Sequence, residues 1–175
     1  MRYLPKLLPA LLLPFLFAAM ILPAAAQLGI SGAFTASRLD HPVTSIGSPT
    51  MLYGTTVSVY YQRGDFLALG GDVRANFLGG SGVSLNSGVA GPRVAAKLHA
   101  APLQVYGEAL GGFGSYTSSS IASNSIEAEY QLVVGVDATI LPRIDWRVVE
   151  YNYTGASGNL SSHSLSTGIV LRIPY

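Results

Sequence analysis

The sequence predicts an all-β fold, an eight-stranded antiparallel up-and-down transmembrane β-barrel, and three observations predict it. Apolar and polar residues alternate with a period of two through segment after segment of the 175-residue chain. Charge is scarce, at 11% of residues, and twelve of the seventeen charges after residue 26 fall on the polar parity of those segments. Beyond the N-terminus no run of about 18 apolar residues exists, so a membrane could be crossed only by a closed barrel that pairs every backbone group.

The N-terminus reads as an export address. Arg2 and Lys6 form a basic head, Leu7 to Leu22 an apolar run, and Ala24-Ala25-Ala26 an A-x-A cleavage site before Gln27. Pro9, Pro14 and Pro23 argue against a retained straight helix. Residues 1–26 are therefore expected to be a cleaved signal peptide, and 27–175 the barrel. That remainder carries eight basic and nine acidic side chains and no cysteine. So even a balance gives no basic patch for nucleic acid.

Each strand follows from alternation and ends at turn residues. Leu28 to Ser37 is followed by a polar loop, Arg38 to Thr50, with Pro42, Gly47 and Pro49. Leu52 to Gln62 sets Tyr53, Thr55, Val57, Val59 and Tyr61 against Gly54, Thr56, Ser58, Tyr60 and Gln62, and turns at Arg63-Gly64-Asp65. Phe66 to Leu78 opposes Leu67, Leu69, Val73, Ala75 and Phe77 to Asp72, Arg74 and Asn76, and a loop Gly79 to Asn86 follows. Ser87 to His99 places Arg93, Lys97 and His99 on its polar side, then turns at Ala100-Ala101-Pro102. Leu103 to Tyr116 places Gln104, Tyr106 and Glu108 there, ahead of a serine-rich loop, Thr117 to Ser125.

The longest alternation is Ile126 to Thr139. Ile126, Ala128, Tyr130, Leu132, Val134, Val136 and Ala138 share one parity, and Glu127, Glu129, Gln131, Gly135, Asp137 and Thr139 the other, with Val133 as intruder. Leu141-Pro142-Arg143 turns the chain into Ile144 to Thr154, Gly155 to Ser162 is the last loop, and Ser164 to Tyr175 the last strand. In the seventh strand strict alternation fails. One extra residue at Val148-Val149, a β-bulge, restores Asp145, Arg147, Glu150 and Asn152 to one face and Trp146, Tyr151 and Tyr153 to the other.

The direction of the faces follows from counting. A soluble barrel would turn the apolar parity inward and bear many more surface charges. In an outer-membrane barrel the apolar parity meets lipid, where an arginine at midplane costs about 2–4 kcal/mol, and the polar parity fills the lumen. Phe34, Tyr53, Tyr61, Phe77, Phe113, Tyr130, Trp146, Tyr151, Tyr153 and Tyr175 all sit on the apolar parity, as aromatic girdles require. The lumen then receives Asp72, Arg74, Arg93, Lys97, Glu108, Glu127, Glu129, Asp137, Asp145, Arg147, Glu150 and Arg172.

With these residues in place, the chain resembles the small eight-stranded outer-membrane β-barrels of the OmpA/OmpX type over its whole length after the signal segment. The sharpest match is the last strand, where Ser166, Gly168, Leu171, Ile173 and the terminal aromatic Tyr175 resemble the family's assembly signal. Tyr replaces the commoner Phe, and Pro174 stands beside it. The resemblance implies recognition by the barrel-assembly machinery and residence among outer-membrane lipid of a Gram-negative-type bacterium.

Centring the turns pairs Asp137 with Arg147, Asp145 with Arg172, and Glu108 with Arg93 and Lys97, while Glu127, Glu129 and Glu150 are expected at the outer mouth as an acidic vestibule. Eight strands leave an interior just wide enough for side chains. The expected role is therefore structural or surface-interacting, with a charge-paired lumen, possible surface ligands at the outer loops and a monomeric state. A narrow ion or small-solute channel is the alternative, and a lipid-modifying barrel enzyme ranks third. His163-Ser164 shows no carboxylate partner, and His41 and His99 lack metal-ligand spacing. Gly79, Gly80 and Gly82 precede no helix that could make a phosphate loop, and the Asn152-Tyr153-Thr154 sequon lies in a strand. No catalytic group, cofactor or metal is indicated.

Overall fold

The computed structural model describes residues 26–40, 50–80, 82–98, 101–118, 121–157 and 160–174. Residues 1–25 of the signal segment, His41, His99 and Tyr175 lie outside them. Eight strands run in chain order: β1 (Ala26–Leu39), β2 (Thr50–Arg63), β3 (Leu67–Gly80), β4 (Val83–Leu98), β5 (Leu103–Ser118), β6 (Ile121–Leu141), β7 (Ile144–Ala156) and β8 (Ser161–Pro174). Each pairs antiparallel with its neighbours, and β8 returns to β1, Ala33 opposite Gly168, to close the barrel. Closure matters because it leaves no strand edge unpaired. Ala26 and Pro174 stand at one end, hereafter proximal; Leu39, where β1 ends, and Thr50, where β2 begins, stand at the other, distal end.

All eight predicted strands are present, and all are longer than alternation alone suggested. Two expected loops shorten to two residues each. β3 and β4 leave only residues 81–82 between them, and β5 and β6 only 119–120. Gly82, at φ 76°, supplies the left-handed residue that the first of these turns needs. Ser, Thr and Gly punctuate a sequence, yet a strand continued by its partner's ladder accepts them, and the hairpins extend accordingly. At the proximal end Gly64, with φ 141°, makes the β2–β3 turn.

The alternation orients side chains as the parity demanded. In β1, Ser31, Thr35 and Ser37 point inward and are buried, while Ile30 and Phe34 face out. In β6, Glu129, Gln131, Val133 and Asp137 are inside, and Ile126, Tyr130, Leu132 and Val134 outside. The β7 bulge is observed, with the β7–β8 register shifting between Arg147 and Glu150. Asp145, Arg147 and Glu150 are consequently all buried, and Trp146, Val149 and Tyr151 exposed. Of the ten aromatics assigned to the apolar parity, Phe34, Tyr53, Tyr61, Phe77, Phe113, Tyr130, Trp146 and Tyr151 are exposed on the exterior and Tyr153 is half-buried.

Two arginines depart from the charge-free exterior that lipid favours. Because β1 continues to Leu39 and β2 to Arg63, Arg38 at the distal rim and Arg63 at the proximal rim belong to strands on the exterior parity. Both sit where the cost of an outward cation falls toward zero, at the edges of the apolar band.

Candidate functional site

The interior is a stack of chemically distinct tiers, and its centre is ionic. Arg74 from β3, Arg93 from β4 and Arg147 from β7 lie with Asp72, Glu108, Asp137 and Glu150, every side chain at most 1% exposed. Arg74 grips Glu150 with two parallel bonds of 2.9 Å, reaches Glu108 at 2.8 Å and stands 3.4 Å from Asp72. Arg93 pairs with Glu108 and lies 3.7 Å from Asp137. Arg147 donates to Asp137 at 3.1 Å and closes on Glu150 at 3.0 Å.

Aromatic rings complete the cluster. The Arg93 guanidinium lies 4.1 Å from the centre of the Tyr60 ring and 3.8 Å from that of Tyr106, and Arg147 lies 5.0 Å from Tyr106. Tyr106 also donates to Glu150 at 2.6 Å. These rings fit because their cross-strand partners are glycines: Tyr60 opposes Gly29 and Tyr106 opposes Gly135. A Cβ at either glycine would overlap the ring. Three cations and four carboxylates withdrawn from water cost heavily one by one, and their mutual pairing offsets that cost; among the described residues Asp72 Oδ1, Arg74 Nε, Arg93 Nη2, Asp137 Oδ2 and Arg147 Nη2 still lack a hydrogen-bond partner.

Toward the distal end the ions give way to a belt of neutral polar groups. Ser166, Thr35, Thr56 and Asn76 are linked by successive bonds of 2.8 Å, Asn76 reaches Ser87 at 2.9 Å, Ser87 meets Gln131 at 3.4 Å, and Asn152 donates to Gln131 at 2.9 Å. The belt skips β5, whose inward positions at this level are Gly112 and Gly114. Above it Leu39, Leu52, Leu78, Leu85, Tyr116 and Leu160 form a buried apolar layer across the distal mouth. Parity reading had assigned the lumen to polar groups alone, so this layer was missed; its signal was the leucines on the polar parity at distal strand ends.

The residues expected in the lumen divide accordingly. Asp137–Arg147, Asp145–Arg172 (2.8 Å) and Glu108–Arg93 are brought together. Lys97 is not joined to Glu108. It stands opposite Gln104, four positions nearer the proximal turn, and Glu108 takes Arg74 instead. The acidic vestibule is also corrected. Glu150 is fully buried in the central cluster, since the bulge carries it to the level of Arg74. Glu129 is buried among Tyr116 at 3.1 Å and Gln131 at 2.9 Å, and only Glu127 remains half-exposed.

His163 gains the carboxylate partner that its sequence neighbours did not suggest. Its Nε2 lies 3.0 Å from Asp40, and its Nδ1 2.5 Å from the Tyr151 hydroxyl, on the distal exterior. Ser164 points the other way and donates to Ser37 inside the barrel at 2.9 Å. A histidine and serine on opposite faces of a strand cannot act as base and nucleophile. Among the described residues no group of three or more His, Cys, Asp or Glu is arranged to hold a metal ion.

No protein-family model matches the chain, and no curated protein aligns with it. Solved structures do. Ail, the attachment invasion locus protein of Yersinia pestis, superposes at a TM-score of 0.57 with 14% identity, over 85% of this chain and 99% of Ail. The fold is that of the small eight-stranded outer-membrane β-barrels of the OmpA/OmpX kind. Neisserial surface protein A aligns at a TM-score of 0.56 and 15% identity, covering 82% of this chain and 96% of that one. The N-terminal barrel domain of Pseudomonas aeruginosa OprF gives 0.55 and 10%, covering 86% and 99%. At such identities the likeness concerns architecture, and the tiers of the lumen must be read from this chain's own residues.

Proposed function

We propose that this protein is an integral outer-membrane barrel with a closed interior, whose role is structural or surface-interacting and neither enzymatic nor conductive. The observation that carries the reading is the inversion of polarity: Val73, Phe113, Leu132, Val134, Leu165 and Ile169 are exposed outside, while Arg74, Arg93 and Arg147 are buried inside. A surface of this kind stays dissolved only when lipid covers it. Residues 1–26 serve export, and Ser166, Gly168, Leu171, Ile173 and Tyr175 serve recognition by the assembly machinery. The proximal end then faces the periplasm, and the distal end offers its strand ends and the residue 41–49 connection to the surroundings, as a monomer. Fractionation tests this. The protein should partition with outer membranes, need detergent for extraction, and migrate faster on gels before boiling than after. A protein that remains soluble without detergent and shows no heat-dependent mobility contradicts it.

A further inference from the structure

Lys97 is a lumen cation that the ionic core does not use. It lies at the proximal mouth, half-exposed and, among the described residues, without an ion pair. Beside it a cleft of about 200 Å³ is walled by Lys97, Gln104, Thr139 and Arg172, with Leu98 and Leu103 at its apolar rim. That is room for about six waters, hence for one small oxyanion with a residual hydration shell. Two of its wall groups have unspent donors. Gln104 is 5% exposed. Its Nε2 has no partner among the described residues, nor has Nε of Arg172.

The neighbouring charges leave the cleft positive. Arg172 Nη2 stands 2.8 Å from Asp145 as an ion pair and donates to the Thr139 hydroxyl oxygen at 3.0 Å, which leaves the threonine hydroxyl hydrogen free to donate. Asp137 stands in register with Gln104 but is taken up by Arg147 and Arg93. Two cations thus face one carboxylate at the cleft. Among the described side chains the same excess holds for the whole proximal end, where Arg63, Lys97, Arg143 and Arg172 meet Asp65 and Asp145, whereas the distal end sets Arg38 against Asp40, Glu127 and Glu129. A mouth of one sign with low-dielectric walls concentrates ions of the other.

We infer that the cleft formed by Lys97, Gln104, Thr139 and Arg172 binds a phosphate group presented at the proximal mouth of the barrel. An ammonium, an amide, a hydroxyl and a guanidinium Nε come from four strands, a donor set suited to a tetrahedral group with several terminal oxygens. A planar carboxylate would call instead for the side-by-side guanidinium fork, which Arg172 has already committed in part to Asp145. The inference stands on the cleft and not on the membrane reading.

The test uses the folded protein in micelles of an uncharged detergent, titrated with inorganic phosphate while the Gln104 side-chain amide is followed by NMR. We expect a saturable shift of that amide, absent with equal chloride, and, by isothermal titration calorimetry in the same micelles, an affinity at least tenfold weaker in both Lys97→Gln and Gln104→Leu. Lys97→Arg should retain binding. Lys97 makes no ion pair among the described residues, so its variants should keep the unboiled gel mobility of the parent. Doping the micelles with phosphatidylglycerol identifies the source: displacement of inorganic phosphate marks a lipid headgroup, and no displacement marks a soluble phosphate. Absence of a saturable shift, an equal response to chloride, or binding unchanged in Lys97→Gln would overturn the inference.

Discussion

Arg74 and Glu150 form a two-bond pair, 2.9 Å on each arm, across the centre of the barrel, from strands 76 residues apart in sequence. Neither side chain reaches water, and Glu150 is shared with Arg147 and Tyr106. The pair therefore staples β3 to β7, strands that are not neighbours in the sheet.

Breaking one side of this staple strands a buried charge. Arg74→Met and Glu150→Leu are each expected to lower unfolding stability by about 3–5 kcal/mol. The double variant should cost less than the sum of the two by about 1 kcal/mol or more, because neither member of this pair then faces a missing partner, although Asp72 and Tyr106 still lose theirs. Reversible urea unfolding in lipid vesicles measures all three. Strict additivity would show that the two groups do not depend on one another.

The Tyr106–Gly135 contact ties the sheet to the ionic core. Tyr106→Phe should cost about 1.5–3 kcal/mol, the worth of a bond to a charged group. Gly135→Val should cost about 1–3 kcal/mol by forcing the ring aside. Combined, the two should remain clearly destabilised, since the phenyl ring still needs the space. A Gly135→Val protein as stable as the parent would refute the steric argument.

The bulge at Val148-Val149 keeps β7 in phase. Deleting Val149 would restore simple alternation and send one half of the strand's charges toward lipid, either Asp145 with Arg147 or Glu150. An arginine there costs about 2–4 kcal/mol, and the central pairs are lost besides. The deletion variant should give no heat-shifted band after refolding, whereas Val149→Ala should fold.

Much of this was legible because lipid imposes a strict rule on alternate residues. Parity alone placed Asp145, Arg147 and Glu150 inside, and even demanded the bulge. Hairpin pairs such as Asp137–Arg147 were also within reach, since centring the turn at Pro142 sets them opposite, a register that the β6–β7 ladder takes through a shift between Thr139 and Leu141. Partners across the lumen were not. Which strand faces β3 depends on closure and stagger of the whole barrel, so neither Arg74–Glu150 nor Arg74–Glu108 could be read, and Glu150 was assigned to the mouth. Lys97 failed for a related reason: sharing a face with Glu108 across one hairpin does not bring two side chains four positions out of register into contact. Strand ends failed differently, because Ser, Gly and Thr are turn formers in isolation and acceptable strand residues beside a paired neighbour.

The central claim is that charged, polar and leucine tiers together close the lumen. Recording the folded protein in planar lipid bilayers tests it most directly. We predict no unit openings under symmetric salt across moderate voltages. Steady openings whose conductance changes in Arg147→Gln would contradict the account and establish a channel.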